Sequence, residues 1–281
     1  MKISIVIPVY NEAEQLEACL LAISRQKLKP HQVIVVDNNS SDNTEFIARS
    51  FGFVTVLQQK TQGVVHARTL GFDKASGDII ARIDGDTVIP EDWTANIKRI
   101  FIDESIDAVT GVANYYNVAA SDLVDSVDLF FRRSLSKKLK KDMYLWGANM
   151  AIRRKAWTAV RNSLCNSGNL HEDFDIAIHL TAIGGNIIQD EKLTAFVSSR
   201  RIDMNFLDFM SYVNMSPRTY ALHKIKVKKH IYPVVMVCAL CYLPGKILYR
   251  GYDKELDKFS WAHLVSPRPT LSRVDPTANV A

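Results

Sequence analysis

The stretch Ile79-Ile80-Ala81-Arg82-Ile83-Asp84-Gly85-Asp86 places two carboxylates and a glycine directly after an apolar run. The run has the composition of a buried strand, and the glycine lets the chain turn tightly as it leaves. In an open α/β sheet, ligands bind beyond the carboxyl ends of the strands. Carboxylates are hard oxygen donors suited to Mg²⁺ or Mn²⁺. Position and chemistry therefore agree on a cation site. Taken alone, the triplet also reads as an acidic surface turn, and the flanking sequence has to decide.

Working outward, strands alternate with helices over the first hundred residues. Ile3 to Ile7, Gln32 to Val36, Phe53 to Leu57 and Ala108 to Val112 read as further strands. Helices are expected from a cap at Asn11 to about Gln26, from the Asp37–Asp42 turn cluster to near Gly52, over Val64 to Ala75, and from Pro90 at a first turn. Strands separated by helices imply a mainly parallel sheet. Beyond residue 113 the pattern changes. Ser121 to Lys141 is amphipathic, with a basic second half (Arg132, Arg133, Lys137, Lys138, Lys140, Lys141) that reads as a solvated face or as an anion-binding one. Trp146 to Trp157 carries a small-residue loop into a strand. Phe174 to Ile183 is a helix closed by Gly184-Gly185. From Ser266 the chain has the composition of a disordered tail.

The chain of 281 residues is long enough for an ample core, and its net charge of +5 is too mild to imply nucleic-acid binding. The four cysteines suggest no disulfide framework, so a reducing cytoplasm is the expected compartment. Cys238 and Cys241 have CxxC spacing without a second pair, and read as core or membrane-facing thiols. The N-terminus is not expected to be a signal peptide. Ile231 to Tyr249 is apolar but interrupted by Pro233, Pro244, Gly245 and Lys246, too broken to span a bilayer. Behind the basic run Lys224, Lys226, Lys228, Lys229 and His230 it reads as an interfacial helix hairpin on an anionic membrane, or as a helix packed on the domain.

Four further polar motifs surround the Asp-Gly-Asp: Pro8-Val9-Tyr10-Asn11-Glu12, Asp37-Asn38-Asn39-Ser40, Gly63-Val64-Val65-His66-Ala67-Arg68 and His171-Glu172-Asp173. With the Trp146-Gly147-Ala148-Asn149 segment, and in this order, they resemble glycosyltransferase family 2 over roughly residues 3 to 200. The resemblance implies a GT-A fold: α/β, with a Rossmann-like, mainly parallel mixed sheet flanked by helices. The expected organisation is a catalytic domain at 1–205, with a nucleotide-binding half (1–112) and an acceptor half (113–205). A helical extension would follow at 206–265 and a tail at 266–281.

The resemblance also assigns roles. Pro8, Tyr10 and Glu12 would line the nucleotide pocket, Asp37 would hold the base, and Arg68 would approach the diphosphate. Asp84 would sit near ribose and metal, and Asp86 would bind Mn²⁺ or Mg²⁺ directly. Adjacent helical residues point about 100° apart, so only one of the Glu172–Asp173 pair is expected to face the site, and the resemblance favours Asp173 as the general base. Trp146, Asn149 and Glu172 would shape the donor and acceptor pocket. His171 could ligate metal, though it also reads as an ordinary polar loop histidine.

The implied reaction is metal-dependent, inverting transfer of one sugar from a nucleotide sugar, UDP-linked by preference, to a hydroxyl of a glycan or lipid-linked acceptor. The processive synthases of the family carry a Gln-X-X-Arg-Trp motif that is missing after Asp173. The enzyme would act in the cytoplasm, with peripheral contact on the inner face of the membrane. Two alternatives come from other classes. A nucleotidyltransferase would need a glycine-rich basic loop where Pro8-Val9-Tyr10-Asn11-Glu12 stands. A non-catalytic sugar-nucleotide-binding scaffold would have no need of both Asp86 and Asp173.

Overall fold

The computed structural model describes residues 1–139, 144–165, 170–225, 228–253 and 256–265. Lys140, Lys141, Lys226 and the tail from Ser266 lie outside this set, as do the side chains of Lys228, Lys229 and His230.

Apolar runs build the sheet. β1 (Ile3–Val9) is buried along its whole length and pairs in parallel with β2 (Gln32–Asp37) and β4 (Ile79–Arg82). β3 (Val54–Gln58) extends β2 in parallel. β6 (Met150–Arg153) enters antiparallel between β4 and β5 (Ala108–Tyr116), and β7 (Ile187–Ser198) runs parallel to β5. The order β3-β2-β1-β4-β6-β5-β7 gives seven strands, mainly parallel and mixed. Strands covered on both faces need apolar side chains on both, and two separate cores lie on the two faces.

Helices α1 (Leu16–Ser24), α2 (Thr44–Arg49), α3 (Val64–Lys74) and α4 (Trp93–Ile100) connect the early strands. Asn11 does not cap α1. It adopts a left-handed φ of 53°, and its Oδ1 accepts a 2.8 Å hydrogen bond from the Ser41 N–H, tying the loops after β1 and β2 together. Pro90 likewise stands three residues before α4, in a turn that precedes the helix.

The later helices are α5 (Ser121–Leu139), α6 (Arg154–Val160), α7 (Glu172–Ala182), α8 (Phe206–Val213), α9 (Met215–Leu222), α10 (Lys228–Arg250) and α11 (Ala262–Val265). A two-stranded ribbon, β8 (Tyr252–Asp253) with β9 (Lys258–Phe259), precedes α11. α10 is one continuous helix with Pro233 and Pro244 inside it, which corrects the hairpin reading. Each proline removes one backbone hydrogen bond, yet neither ends the helix, which lies against α5, α8 and α9. The basic half of α5 is not uniformly solvated either. Arg132 is partly buried over the Trp146 ring at 4.1 Å and paired with Asp128, and Arg133 holds Glu191 through two contacts of 2.5–2.6 Å.

Candidate active site

β1, β2 and β4 end side by side, and the ends of β1 and β4 with the loops that leave them border a cavity of about 330 Å³. Pro8, Glu12, Asp84, Asp86, Trp146, Glu172 and Asp173 all line it, so residues up to 165 positions apart in sequence meet there. Five carboxylates and three guanidiniums face the space. Gly85 is closely packed: a Cβ there would stand 3.0 Å from both Glu12 Cγ and Val9 Cγ1, so any side chain would press on both neighbours.

Arg82, the last residue of β4, organises the floor. Its guanidinium donates to Glu172 at 2.5 Å and to Asp84 at 3.1 Å. Arg82 is buried, and a charge can be held there because two carboxyl groups accept its hydrogen bonds. Gly147 passes directly over it, since a Cβ on Gly147 would lie 2.4 Å from Arg82 Nη1. Burial pushes the Glu172 carboxyl up, but the Arg82 guanidinium outweighs that and holds it below its ordinary range.

Both Glu172 and Asp173 line the cavity, which corrects the expectation that only one of the pair faces it, but Asp173 differs from its neighbour in its contacts. Its Oδ2 accepts the Gly147 N–H at 2.7 Å and its Oδ1 accepts the Phe174 N–H at 2.8 Å, which fixes the carboxylate plane. Burial, followed by the adjacent Glu172 charge, raises its pKa. Two neighbouring acids with pKa values pushed in opposite directions divide their labour.

Elsewhere in the lining Arg200 Nε holds Asp86 Oδ2 at 3.0 Å, and Arg200 Nη2 also donates to Glu12. Burial raises the Asp86 pKa against the pull of Arg200. Burial also lifts Glu12 to about 7. Arg201 stacks on Tyr212 at 3.9 Å, beside His171, whose ring meets Tyr212 edge-on at 4.9 Å. Asp84, Asp86 and Glu12 fit a hard divalent cation: all are carboxylates, and Glu12 Oε2 is buried without a hydrogen-bond partner.

Four expected residues, Arg68, Asn149, Tyr10 and Asp37, lie outside the cavity lining. Arg68 is fully buried beneath α3, with its guanidinium 5.2 Å from the Trp157 ring and no hydrogen-bond acceptor. Burial lowers its pKa to about 10. It does not border the cavity, where its approach to a diphosphate was expected. Asn149 is also no pocket residue. Its Nδ2 donates to the Val112 and Leu193 carbonyls at 3.0 and 2.7 Å, and its Oδ1 accepts from Trp93 Nε1 at 2.9 Å, so its amide is spent joining β5, β7 and α4. Tyr10 is exposed in the loop after β1, outside the cavity lining. Asp37, at the end of β2, is buried with its Oδ1 lacking any hydrogen-bond partner, an acceptor ready for an N–H donor.

The sequence reading missed Arg82, Arg200 and Arg201. A signal existed for each. Arg82 is a charge inside an apolar strand, which demands a buried partner. Arg200-Arg201 follows the apolar end of β7, where a strand delivers residues to the site edge.

The family model for glycosyl transferase family 2 matches residues 4–160. The chain belongs to glycosyltransferase family 2. Glycosyltransferase AglE of Haloferax volcanii is 28% identical over 179 residues, 60% of this chain and 59% of that protein. An undecaprenyl-phosphate 4-deoxy-4-formamido-L-arabinose transferase of Serratia proteamaculans is 32% identical over 145 residues, 48% of this chain and 41% of that one. The chain spans about half the length of these curated relatives.

Among solved structures, the mannosyltransferase PcManGT from Pyrobaculum calidifontis, in complex with GDP-Man and Mn²⁺, superposes with a TM-score of 0.57 at 18% identity. The match covers 87% of this chain and 72% of that one. S. aureus TarS in complex with UDP-GlcNAc gives 0.56 at 16% identity, over 87% and 82%. At these identities the likeness establishes the family 2 fold, the GT-A sheet with its flanking helices.

Proposed function

We propose that this family 2 chain is an inverting, divalent-cation-dependent glycosyltransferase. It moves a single sugar from a nucleotide sugar, with UDP the favoured nucleotide, to a hydroxyl of a glycan or lipid-linked acceptor. The observation that carries the reading is one cavity bordered by Asp84 and Asp86 on one wall and by Asp173 on another. Donor activation and acceptor deprotonation need those two chemistries within reach of one sugar.

Asp84, Asp86 and Glu12 would hold the cation, Mn²⁺ or Mg²⁺, which when bound neutralises negative charge on the departing nucleoside diphosphate. Arg200 and Arg201, at the same wall, present guanidiniums suited to the diphosphate oxygens and take the role first expected of Arg68. The unpartnered Asp37 Oδ1 and the loop at Pro8 would receive the base. Asp173 takes the proton of the attacking hydroxyl. Its two backbone hydrogen bonds hold it in place, and its raised pKa increases its proton affinity. Glu172 stays ionised against Arg82 and positions that floor. Attack from the Asp173 side, opposite the leaving diphosphate, inverts the anomeric centre.

The lipid-linked acceptor is supported by relatives named for undecaprenyl-phosphate transfer, and by α10. Among the described residues, Ile231–Arg250 is long and apolar enough to cross a membrane. Met236, Leu240, Leu243 and Ile247 on α10 are exposed at spacings that share one helix face. Membrane contact through this face would bring the cavity to a lipid-borne acceptor.

The decisive experiment is donor turnover with a panel of nucleotide sugars plus Mn²⁺ or Mg²⁺. Asp86→Ala should abolish metal-stimulated donor hydrolysis. Asp173→Asn should lower transfer by at least about 10²-fold while donor binding survives. Transfer left intact in Asp173→Asn would remove the base assignment, and hydrolysis intact in Asp86→Ala would remove the metal assignment.

A further inference from the structure

We propose that this chain carries a second, structural metal site, a Zn²⁺ held by Cys165, Asp175, His179 and His223. One potential ligand atom from each of these four side chains lies within 4.8 Å of every other. The set is outside the cavity lining and uses donors of a different kind. Nitrogen and sulfur select Zn²⁺ over the hard cations that suit Asp84 and Asp86.

Three of the pairwise distances show how close the group is. His223 Nε2 stands 2.7 Å from Asp175 Oδ1 and 3.9 Å from Cys165 Sγ, and His179 Nε2 stands 3.6 Å from the same Asp175 oxygen. Tetrahedral Zn²⁺ with bonds of about 2.0–2.3 Å spaces its ligand atoms about 3.3–3.8 Å apart. The cluster is within a few tenths of an ångström of that spacing for two of the three pairs, and modest side-chain motion brings the rest into line.

Three details distinguish this from a chance polar cluster. The nitrogen His179 Nε2 is buried and has no hydrogen-bond partner, although it points into the group. The other Asp175 oxygen, Oδ2, accepts the Cys165 N–H at 2.8 Å, the outer-shell restraint that orients a carboxylate ligand. Finally, a Cys–His–Asp relay would use opposite ring nitrogens of the histidine. Here Nε2 of His223 faces both the thiol and the acid, which is convergence, not relay. A thiolate, a carboxylate and two neutral imidazoles carry two negative charges, which balance Zn²⁺ and suit a half-buried site.

The ligands come from three parts of the fold: the segment after α6, two turns of α7 four residues apart, and the residue that ends α9. Four protein donors close the coordination sphere, so the ion would be structural. Asp175 stands two residues beyond Asp173 on α7. The metal would therefore pin the helix bearing the candidate base to α9, beside the hydrogen bond from the His171 N–H to Thr219 Oγ1 at 3.0 Å.

Elemental analysis of the tag-free full chain tests this. About one zinc per chain is expected, retained in Asp86→Ala and lost in the double variant Cys165→Ser/His223→Gln. Replacement of Zn²⁺ by Co²⁺ should give a thiolate-to-cobalt charge-transfer band and tetrahedral visible bands. Chelation should lower the melting temperature of the wild type by a few degrees and leave that of the double variant unmoved. Zinc well below one per chain, zinc unaffected by the double variant, or a Co²⁺ spectrum without the thiolate band overturns the proposal. If the double variant does not fold, the wild-type zinc content and Co²⁺ spectrum decide alone.

Discussion

Truncating Arg200 to alanine would strip Asp86 and Glu12 of their shared partner at once. A charge-assisted contact contributes about 1.5–3 kcal/mol, so a fall of roughly 10- to 150-fold in donor kcat/KM is expected. Arg200→Lys should restore part of it, because a point charge replaces a fork that reaches two acids. An unchanged kcat/KM in Arg200→Ala would exclude Arg200 from donor handling. At this scale the sequence was legible where a residue sits at a strand end. Asp84, Asp86 and Glu12 needed only the apolar run before them to be placed. Arg68 and Asn149 misled for the same reason: polar groups beside family motifs look like ligand contacts. Nothing in a linear sequence shows that Arg68 slides under Trp157, or that all three Asn149 contacts go to its own core.

The pairing of β5 with α5 carries its own pH dependence. The Tyr115 N–H at the end of β5 donates to Asp125 Oδ1 at 2.7 Å. Burial pushes the Asp125 carboxyl up to about 6, against that hydrogen bond, with the charges of Asp128 and Asp122 adding to the rise. The folded pKa thus exceeds the ordinary unfolded value of about 3.9. The folded state binds the proton more tightly, so this group's contribution is best below about pH 4, declines up to about 6 and stays unfavourable above. Asp125→Asn removes the charge and keeps an acceptor. Its melting temperature should exceed that of the wild type at pH 8, with the gain shrinking to nothing near pH 4. A gain of equal size at both pH values would refute the titration. Elements were legible where burial is two-sided, as in β1 and β4. Their ends were not. Asn11 has the chemistry of a helix cap, but its side chain is claimed by the loop after β2. The prolines of α10 read as breaks, but packing against neighbouring helices outweighs one lost hydrogen bond at each.

Across the whole molecule, the unburied stripe on α10 is the feature that the catalytic half does not explain. Leu240 is 74% exposed and Met236 65% exposed. Flotation with vesicles containing anionic lipid should carry the wild type at low salt. Leu240→Glu with Leu243→Glu should leave it at the bottom of the gradient while donor hydrolysis persists. Recovery of the wild type only in the unbound fraction would remove the membrane from this account. The long-range assembly of the zinc ligands was invisible in sequence, because Cys165 and His223 meet only once α7 and α9 are packed.

Arg82 carries a consequence for anyone wishing to re-engineer specificity. One guanidinium grips an acid from the loop after β4, Asp84, and an acid from the first turn of α7, Glu172, while Gly147 crosses above it with no room for a side chain. The two halves are therefore not interchangeable modules. A chimaera that grafts the acceptor-side segment of another protein onto this β1–β4 scaffold must import a glycine at 147 and an acid at 172 with it. A graft without the acid leaves buried Arg82 with Asp84 as its one remaining carboxylate partner, and a graft without the glycine drives a side chain into the guanidinium, so the junction is destabilised before any question of substrate choice arises.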